Sequence, residues 1–167
     1  MAATYELIES VTLGSAAASV TFSGIPGTFD DLVVTVSGRG DTAAPSVSCY
    51  LALNGSTANM TRRVLYGDGS SAGSVSTSTS IFGDACAATS TSNSFSSGQI
   101  YIPNYTGSTN KSWSSTNVYE NNATAAVMHA VAGLWSITSA ITSVGINCGT
   151  GNFVSGTTAH LYGITKA

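Results

Sequence analysis

The chain has 167 residues, 43% of them hydrophobic, enough for one domain whose core needs no metal or disulfide staple. Only 8% of residues are charged, against about a quarter in ordinary globular domains, and the net charge is −3. Five Lys and Arg in all (Arg39, Arg62, Arg63, Lys111, Lys166) cannot build the basic face that nucleic acid or an anionic membrane surface requires.

Polarity comes instead from Ser and Thr, about 29% of the chain, with Asn and Gly. Glu, Lys, Gln and Arg, which clothe helices, are scarce. Thr suits a pleated surface, and Ser, Asn and Gly suit turns. The composition therefore predicts strands joined by many turns.

Thr4 to Leu13 alternates Tyr5, Leu7, Glu9, Val11 and Leu13 with period two. Ala17 to Phe22 alternates again and stops at Gly24-Ile25-Pro26-Gly27. Leu32 to Ser37 is β-branched and reads as a central strand, closed by Gly38-Arg39-Gly40-Asp41. Val47 to Leu53 runs straight into Asn54-Gly55, a hairpin or tight-turn signal. Thr61 to Tyr66 follows, ending at Gly67-Asp68-Gly69-Ser70. Ser70 to Ser80 is almost all small and polar, a loop or an edge strand, with a short strand at Thr79 to Phe82. Ala87 to Asn93 reads as a loop. Phe95 to Ile102 ends at Pro103-Asn104. Lys111 to Tyr119 places Trp113, Ser115, Asn117 and Tyr119 on one side. Ala125 to Leu134 could hide a helix, but Gly133 and the lack of charge favour a strand. Ile141 to Ile146 and Thr157 to Ile164 complete the set. The expectation is an all-β fold: a single antiparallel β-sandwich, jelly-roll type, of about nine or ten strands in one domain spanning 1–167.

Candidate chemistry is thin. His129 and His160 have no Cys, Asp or Glu at metal-ligand spacing and read as structural. Asp30-Asp31, Glu6 with Glu9, and Asp68 with Asp84 are the available carboxylate pairs, in no recognisable glycosidase frame. Asp30-Asp31 reads as a solvated turn. No Gly-x-Ser-x-Gly elbow or phosphate-binding glycine loop occurs. Asp41, Asp68 and Asp84 lie in loop-like contexts but without EF-hand spacing. No catalytic, cofactor or metal site is expected. Arg39-Gly40-Asp41 spells an adhesion tripeptide that turn glycines make unremarkable. Asn54, Asn59, Asn104, Asn110 and Asn122 open Asn-x-Ser/Thr patterns at a frequency the composition explains. Cys49, Cys86 and Cys148 are odd in number and unclustered, so buried free thiols are expected, with one disulfide plus a free Cys the alternative. The opening Met1-Ala2-Ala3-Thr4-Tyr5-Glu6 has no secretory n- or h-region, and no run of 18 apolar residues exists. Trp113, Trp135, Tyr101, Tyr105 and Tyr119 gather in the second half, either as core and interface anchors or as a sugar-stacking surface.

Two stretches carry a resemblance. One is Leu7-Ile8-Glu9-Ser10-Val11-Thr12-Leu13 with Val20-Thr21-Phe22-Ser23-Gly24-Ile25-Pro26. The other is Gly133-Leu134-Trp135, Ala140 to Val144, Gly151-Asn152-Phe153 and Gly156-Thr157 to Ile164, with Leu65-Tyr66-Gly67 and Tyr101 to Tyr105 between. Together they resemble the small jelly-roll structural proteins of tailed bacteriophages, either capsid decoration (cement) proteins or fibre tips. The resemblance implies a trimer on the outer surface of a capsid, assembled in the bacterial cytoplasm, with the major capsid protein as partner. A fibre tip would instead bind host glycan through loops such as Gly67 to Thr79, Ala85 to Asn93 and Asn104 to Lys111. A glycan-cleaving enzyme is the third reading. Residues 1–9 are a candidate interacting arm, since termini order by adding to a neighbour's sheet.

Overall fold

A computed structural model describes residues 4–121 and 126–165. These residues form twelve antiparallel strands in two sheets and no helix. In chain order the strands are β1 (Tyr5–Thr12), β2 (Ser19–Ser23), β3 (Asp31–Ser37), β4 (Ser46–Leu53), β5 (Met60–Gly67) and β6 (Ala72–Thr77). Then come β7 (Ile81–Cys86), β8 (Ser97–Pro103), β9 (Lys111–Glu120), β10 (Ala126–Trp135), β11 (Ser143–Cys148) and β12 (Thr158–Ile164).

The eight-stranded sheet has the order β1-β12-β3-β8-β9-β10-β5-β6 and the four-stranded sheet β2-β11-β4-β7. The chain switches sheets at every connection except β5 to β6, β8 to β9 and β9 to β10. That is the jelly roll: β1-β12-β3-β8 faces β2-β11-β4-β7. The hairpins β5-β6 and β9-β10 are additions that widen only the first sheet. The expected β-sandwich is therefore present, with twelve strands rather than nine or ten. Beyond ten clearly alternating runs, the count rises through β6, in the stretch read as a loop or an edge strand, and β7, near the expected short strand. The edge-strand reading of this stretch holds: β6 pairs with β5 at the end of the wide sheet, although its small polar side chains show no apolar alternation. The short strand expected at Thr79 to Phe82 lies at Ile81–Cys86 instead.

The core lies between the sheets. Along one line across the wide sheet, Leu161, Val34, Ile100, Ser115, Val131 and Val64 follow one another by direct register, all buried. Phe22, Leu51, Leu53, Val144 and Ile146 close over them from the narrow sheet. Burying one such side chain contributes ~1.5–3 kcal/mol. Gly133 is required by this packing: a Cβ there would lie 2.0 Å from Cε2 of Trp113, its cross-strand neighbour.

β7 is an edge of the narrow sheet and packs over β9. Its unpaired backbone groups are met by side chains. The Asp84 N–H donates to Asn117 Oδ1 (2.9 Å), Ser115 Oγ donates to Phe82 O (2.6 Å) and Arg62 donates to Ile81 O (3.0 Å). This explains why a buried strand carries Ser115 and Asn117 on its inward side, since an unmet buried backbone group costs ~1–3 kcal/mol.

Asn54-Gly55 makes a tight turn with both residues at positive φ, 50° and 76°, and Leu53 and Ser56 exchange both backbone bonds. It does not join paired strands, because β5 belongs to the other sheet. The Asn54 side chain accepts from the Thr142 and Ser143 N–H groups and donates to Ala140 O. That loop capture delays β11 to Ser143, two residues after the Ile141 start expected from the sequence. Residues 5–9 of the candidate arm lie in β1, an edge strand paired with β12 of its own chain; residues 1–3 lie outside the described residues.

Candidate functional site

The outer face of the wide sheet is the largest surface without a covering layer. Register puts Leu7, Tyr162, Val33, Tyr101, Ser114, Ala132, Arg63 and Ser76 in one row across all eight strands. The next row reads Ser10, His160, Thr35, Gln99, Thr116, Ala130, Leu65 and Ser74. Arg63 is the one formal charge in these two rows. Large apolar side chains stand exposed on this face: Leu65 is 66% exposed, Tyr5 and Leu7 53%, and Met128 51%.

Ala130, Ala132, Ser114 and Thr116 are short, whereas Leu65 and Arg63 on β5 and Tyr101 and Gln99 on β8 are long. The short rows form the floor of a groove of about 770 Å³ and the long side chains its banks. Tyr101 is held by donating its hydroxyl to Asp31 Oδ2 at 2.7 Å. That bond pushes the phenol pKa up to about 12. The lining residues are hydroxyls, an amide, a phenol, a guanidinium and small apolar groups, with no carboxylate, His or Cys. Such a surface binds by apolar contact and neutral hydrogen bonds and holds no acid–base pair that works near neutral pH.

A smaller cleft, about 380 Å³, lies on the inward side where β10, β5 and β6 extend past β7. Arg62, Tyr66, Asp68, Tyr119 and His129 line it. His129 is flanked edge-on by Tyr119 and Tyr66, with ring centroids at 5.5 and 6.3 Å, and its Nδ1 has no hydrogen-bond partner. Burial pushes the His129 pKa down; Asp84 opposes this and Arg62 adds to it. Burial and the nearby Asp84 carboxylate push the Tyr119 phenol up to about 12. Asp68 also borders the cleft, but its carboxylate is committed to the Ser70 and Ser71 N–H groups, which hold its pKa well below the usual range. It stays ionised and cannot serve as a general acid.

The remaining sequence candidates fall apart in space. His160 lies on the outer face, bonded to Ser10 Oγ at 2.8 Å. Glu6 and Glu9 are exposed on edge strand β1. Asp31 is not a solvated turn residue: it is 8% exposed and accepts from Tyr101 and the Asn104 N–H, which anchors the end of β8. The Arg39-Gly40-Asp41 triplet is consumed structurally. Arg39 donates to Ser90 Oγ, Thr91 O and Ser94 O and so ties down the loop after β7. Asp41 accepts from Asn152, which lowers its pKa. Among the described residues, no three His, Cys, Asp or Glu come together as metal ligands.

Of the clustered aromatics, Trp113, Trp135 and Tyr105 are core residues, Tyr119 lines the cleft, and Tyr101 alone banks the outer groove. Asn54, Asn59 and Asn104 of the Asn-x-Ser/Thr patterns sit at positive φ in turns; Asn122 lies outside the described residues. The three candidate loops do not converge. The 87–93 loop precedes β8 and the 104–110 loop follows it, so a seven-residue strand separates them. The middle of Gly67 to Thr79, Ala72–Thr77, is strand β6 rather than loop. No protein-family model matches the chain, and no curated protein matches it by sequence. The outer groove itself escaped sequence reasoning, because it needs β5 and β8 placed on either side of the β9-β10 hairpin. Its visible trace is the Ala130/Ala132 alternation opposite Ser114/Thr116.

Proposed function

We propose that the chain is a phage virion structural protein, a decoration protein that sits on the outer capsid surface and clamps neighbouring major capsid subunits. The observation that supports this most is the outer face of the wide sheet: broad, almost uncharged, and studded with exposed Leu65, Leu7, Tyr5 and Met128. Extended uncharged faces with exposed apolar and aromatic residues fit large protein partners better than solvent. The jelly-roll frame and the resemblance to phage structural proteins point the same way, and the proposal includes assembly as a trimer. Many copies, each burying a modest area, would add up by multivalency to resist internal pressure.

The test is copy number. Purified heads stripped of tails are expected to hold hundreds of copies, and heads lacking the protein to burst at lower temperature. A few dozen copies or fewer, on tails alone, overturns the decoration reading. The groove with Tyr101, Gln99, Ser114 and Thr116 favours a second reading, a fibre tip that binds host surface glycan there. Glycan-array binding lost on Tyr101→Ala and Ala130→Trp would select it.

A further inference from the structure

We propose that Cys49 and Cys148 form a reversible cross-strand disulfide when the folded protein meets a medium containing small-molecule disulfides. Sequence separates the two by roughly a hundred residues, but β4 and β11 bring them directly opposite each other. Gly149 N–H donates to Ser48 O at 2.8 Å, bracketing the pair from outside. This marks Cys49 and Cys148 as a non-hydrogen-bonded antiparallel pair, the kind whose Cα atoms approach to about 4.5 Å and whose side chains lie closest. That spacing falls inside the ~4.4–6.8 Å window for a disulfide. Both side chains sit on the inner side of the narrow sheet, in step with Val47 and Leu51 on β4 and with Val144 and Ile146 on β11.

The two thiols differ in a way that sets the order of events. Cys49 is 2% exposed, whereas Cys148, at the end of β11, is half-buried. Its thiol lies 3.3 Å from Thr150 O. Burial raises both thiol pKa values, so the reaction is slow at neutral pH and quickens with alkalinity. Cys148 thiolate attacks a disulfide such as oxidised glutathione and expels one glutathione thiolate. Cys49 thiolate then attacks the Cys148 sulfur of the mixed disulfide and expels the second. Two protein thiols lose two protons and two electrons, and the oxidant becomes two thiols. Cys86 stays outside this pair: its ladder partner is Ser46 and its sulfur accepts the Glu120 N–H. The three free cysteines thus divide into a facing pair and a single buried thiol, and the pair would bolt together the two central strands of the narrow sheet.

Trypsin reads the outcome directly, because Arg39, Arg62, Arg63 and Lys111 place Cys49, Cys86 and Cys148 on three different peptides. After incubation with oxidised glutathione at pH 8.5, the intact protein is expected to lose two titratable thiols and about 2 Da. The Gly40–Arg62 peptide should then appear linked to Ser112–Lys166 on a non-reducing map. Closing so long a loop should raise the Tm by roughly 10 °C, reversibly with dithiothreitol. Cys86→Ser should keep this response and Cys148→Ser should abolish it, with both variants folded as judged by their reduced Tm. Persistence of three free thiols in the folded wild type, a link through Cys86, or a link only between chains would each overturn the proposal.

Discussion

Lys111 offers the sharpest perturbation. Its side chain is 1% exposed, and Nζ donates to four backbone carbonyls: Gly107 at 2.5 Å, Thr109 at 2.6 Å, Ser139 at 3.0 Å and Thr138 at 3.1 Å. Two of these belong to the β8-β9 loop and two to the β10-β11 loop. One ammonium therefore ties together one end of the sandwich, where Tyr105 also bonds to Pro26 O and accepts from Ile141. Lys111→Met keeps the length and apolar stem but removes every donor. Each charge-assisted bond contributes about 1.5–3 kcal/mol, but the freed carbonyls lie in loops and recover water. The expected loss is about 3–5 kcal/mol, as for removing one partner of a buried charged group. At roughly 2–4 °C per kcal/mol for a chain of this size, the Tm should fall by about 10–15 °C. Urea unfolding followed by tryptophan fluorescence measures it, since Trp135 is the ladder partner of Lys111 and Trp113 is two residues away. Lys111→Arg should not rescue, because a planar guanidinium cannot gather four carbonyls around one point as the compact ammonium does by sharing its three N–H donors among them. A loss under 1 kcal/mol for Lys111→Met would refute the view that this end is held by the ammonium.

Three further outcomes are expected. His129 has a depressed pKa in the folded state, so the unfolded chain binds its proton more tightly. Stability is then full above about pH 6.5 and declines as pH falls towards the folded value. His129→Gln should flatten the urea midpoint difference between pH 7 and pH 5, and an unchanged difference would count against the assignment. Arg39→Ala should cost about 1–3 kcal/mol and open the Ser90–Ser94 loop to limited proteolysis, because five hydrogen bonds to that loop vanish. Protease resistance equal to wild type would show that the loop holds itself. Gly133→Ala should cost about 1–3 kcal/mol or more and shift Trp113 emission, since the new methyl meets the indole at 2.0 Å. An unshifted spectrum with full stability would mean that Trp113 has another berth.

Most strands were legible because half-buried strands alternate, as in Val47, Cys49, Leu51 and Leu53 of β4. β6 stayed open between loop and edge strand because neither of its sides offers contrast: Ala72, Ser74 and Ser76 face outward, and Gly73, Val75 and Thr77 inward. β9 was legible as a strand but not as a core strand. Its inward Ser115 and Asn117 look like surface residues until β7 lies across them and needs donors and acceptors. Asp31 misled for the same reason, because its partners Tyr101 and Asn104 lie some seventy residues away. The lone Asn54-Gly55 signal was right about the turn and silent about which sheet came next. Local period and turn chemistry identify elements, whereas site geometry arises from pairings distant in sequence.

The mismatch between the sheets leaves part of the wide sheet bare on both sides. Four strands cannot cover eight, so the added hairpins β5-β6 and β9-β10 leave β10, β5 and β6 partly uncovered on the inward side as well. There the sequence answers with mixed polarity: Arg62, Tyr66, His129 and Asp68 around a small cleft. On the outward side the same strands carry Ala, Ser, Thr and exposed Leu65 and Met128, with little charge to hold water. Widening a jelly roll by two hairpins costs exposed backbone edge and apolar surface, and an isolated domain gains little core from it, since β6 adds mainly the exposed Val75. The hairpins make physical sense if their outer face is buried in use. That makes Leu65→Lys with Met128→Lys the informative pair: both side chains point out, so folding should persist within about 0.5 kcal/mol each. Under the proposed decoration role, attachment to heads should nevertheless be lost. Full attachment by a folded double variant would move the docking surface away from this sheet.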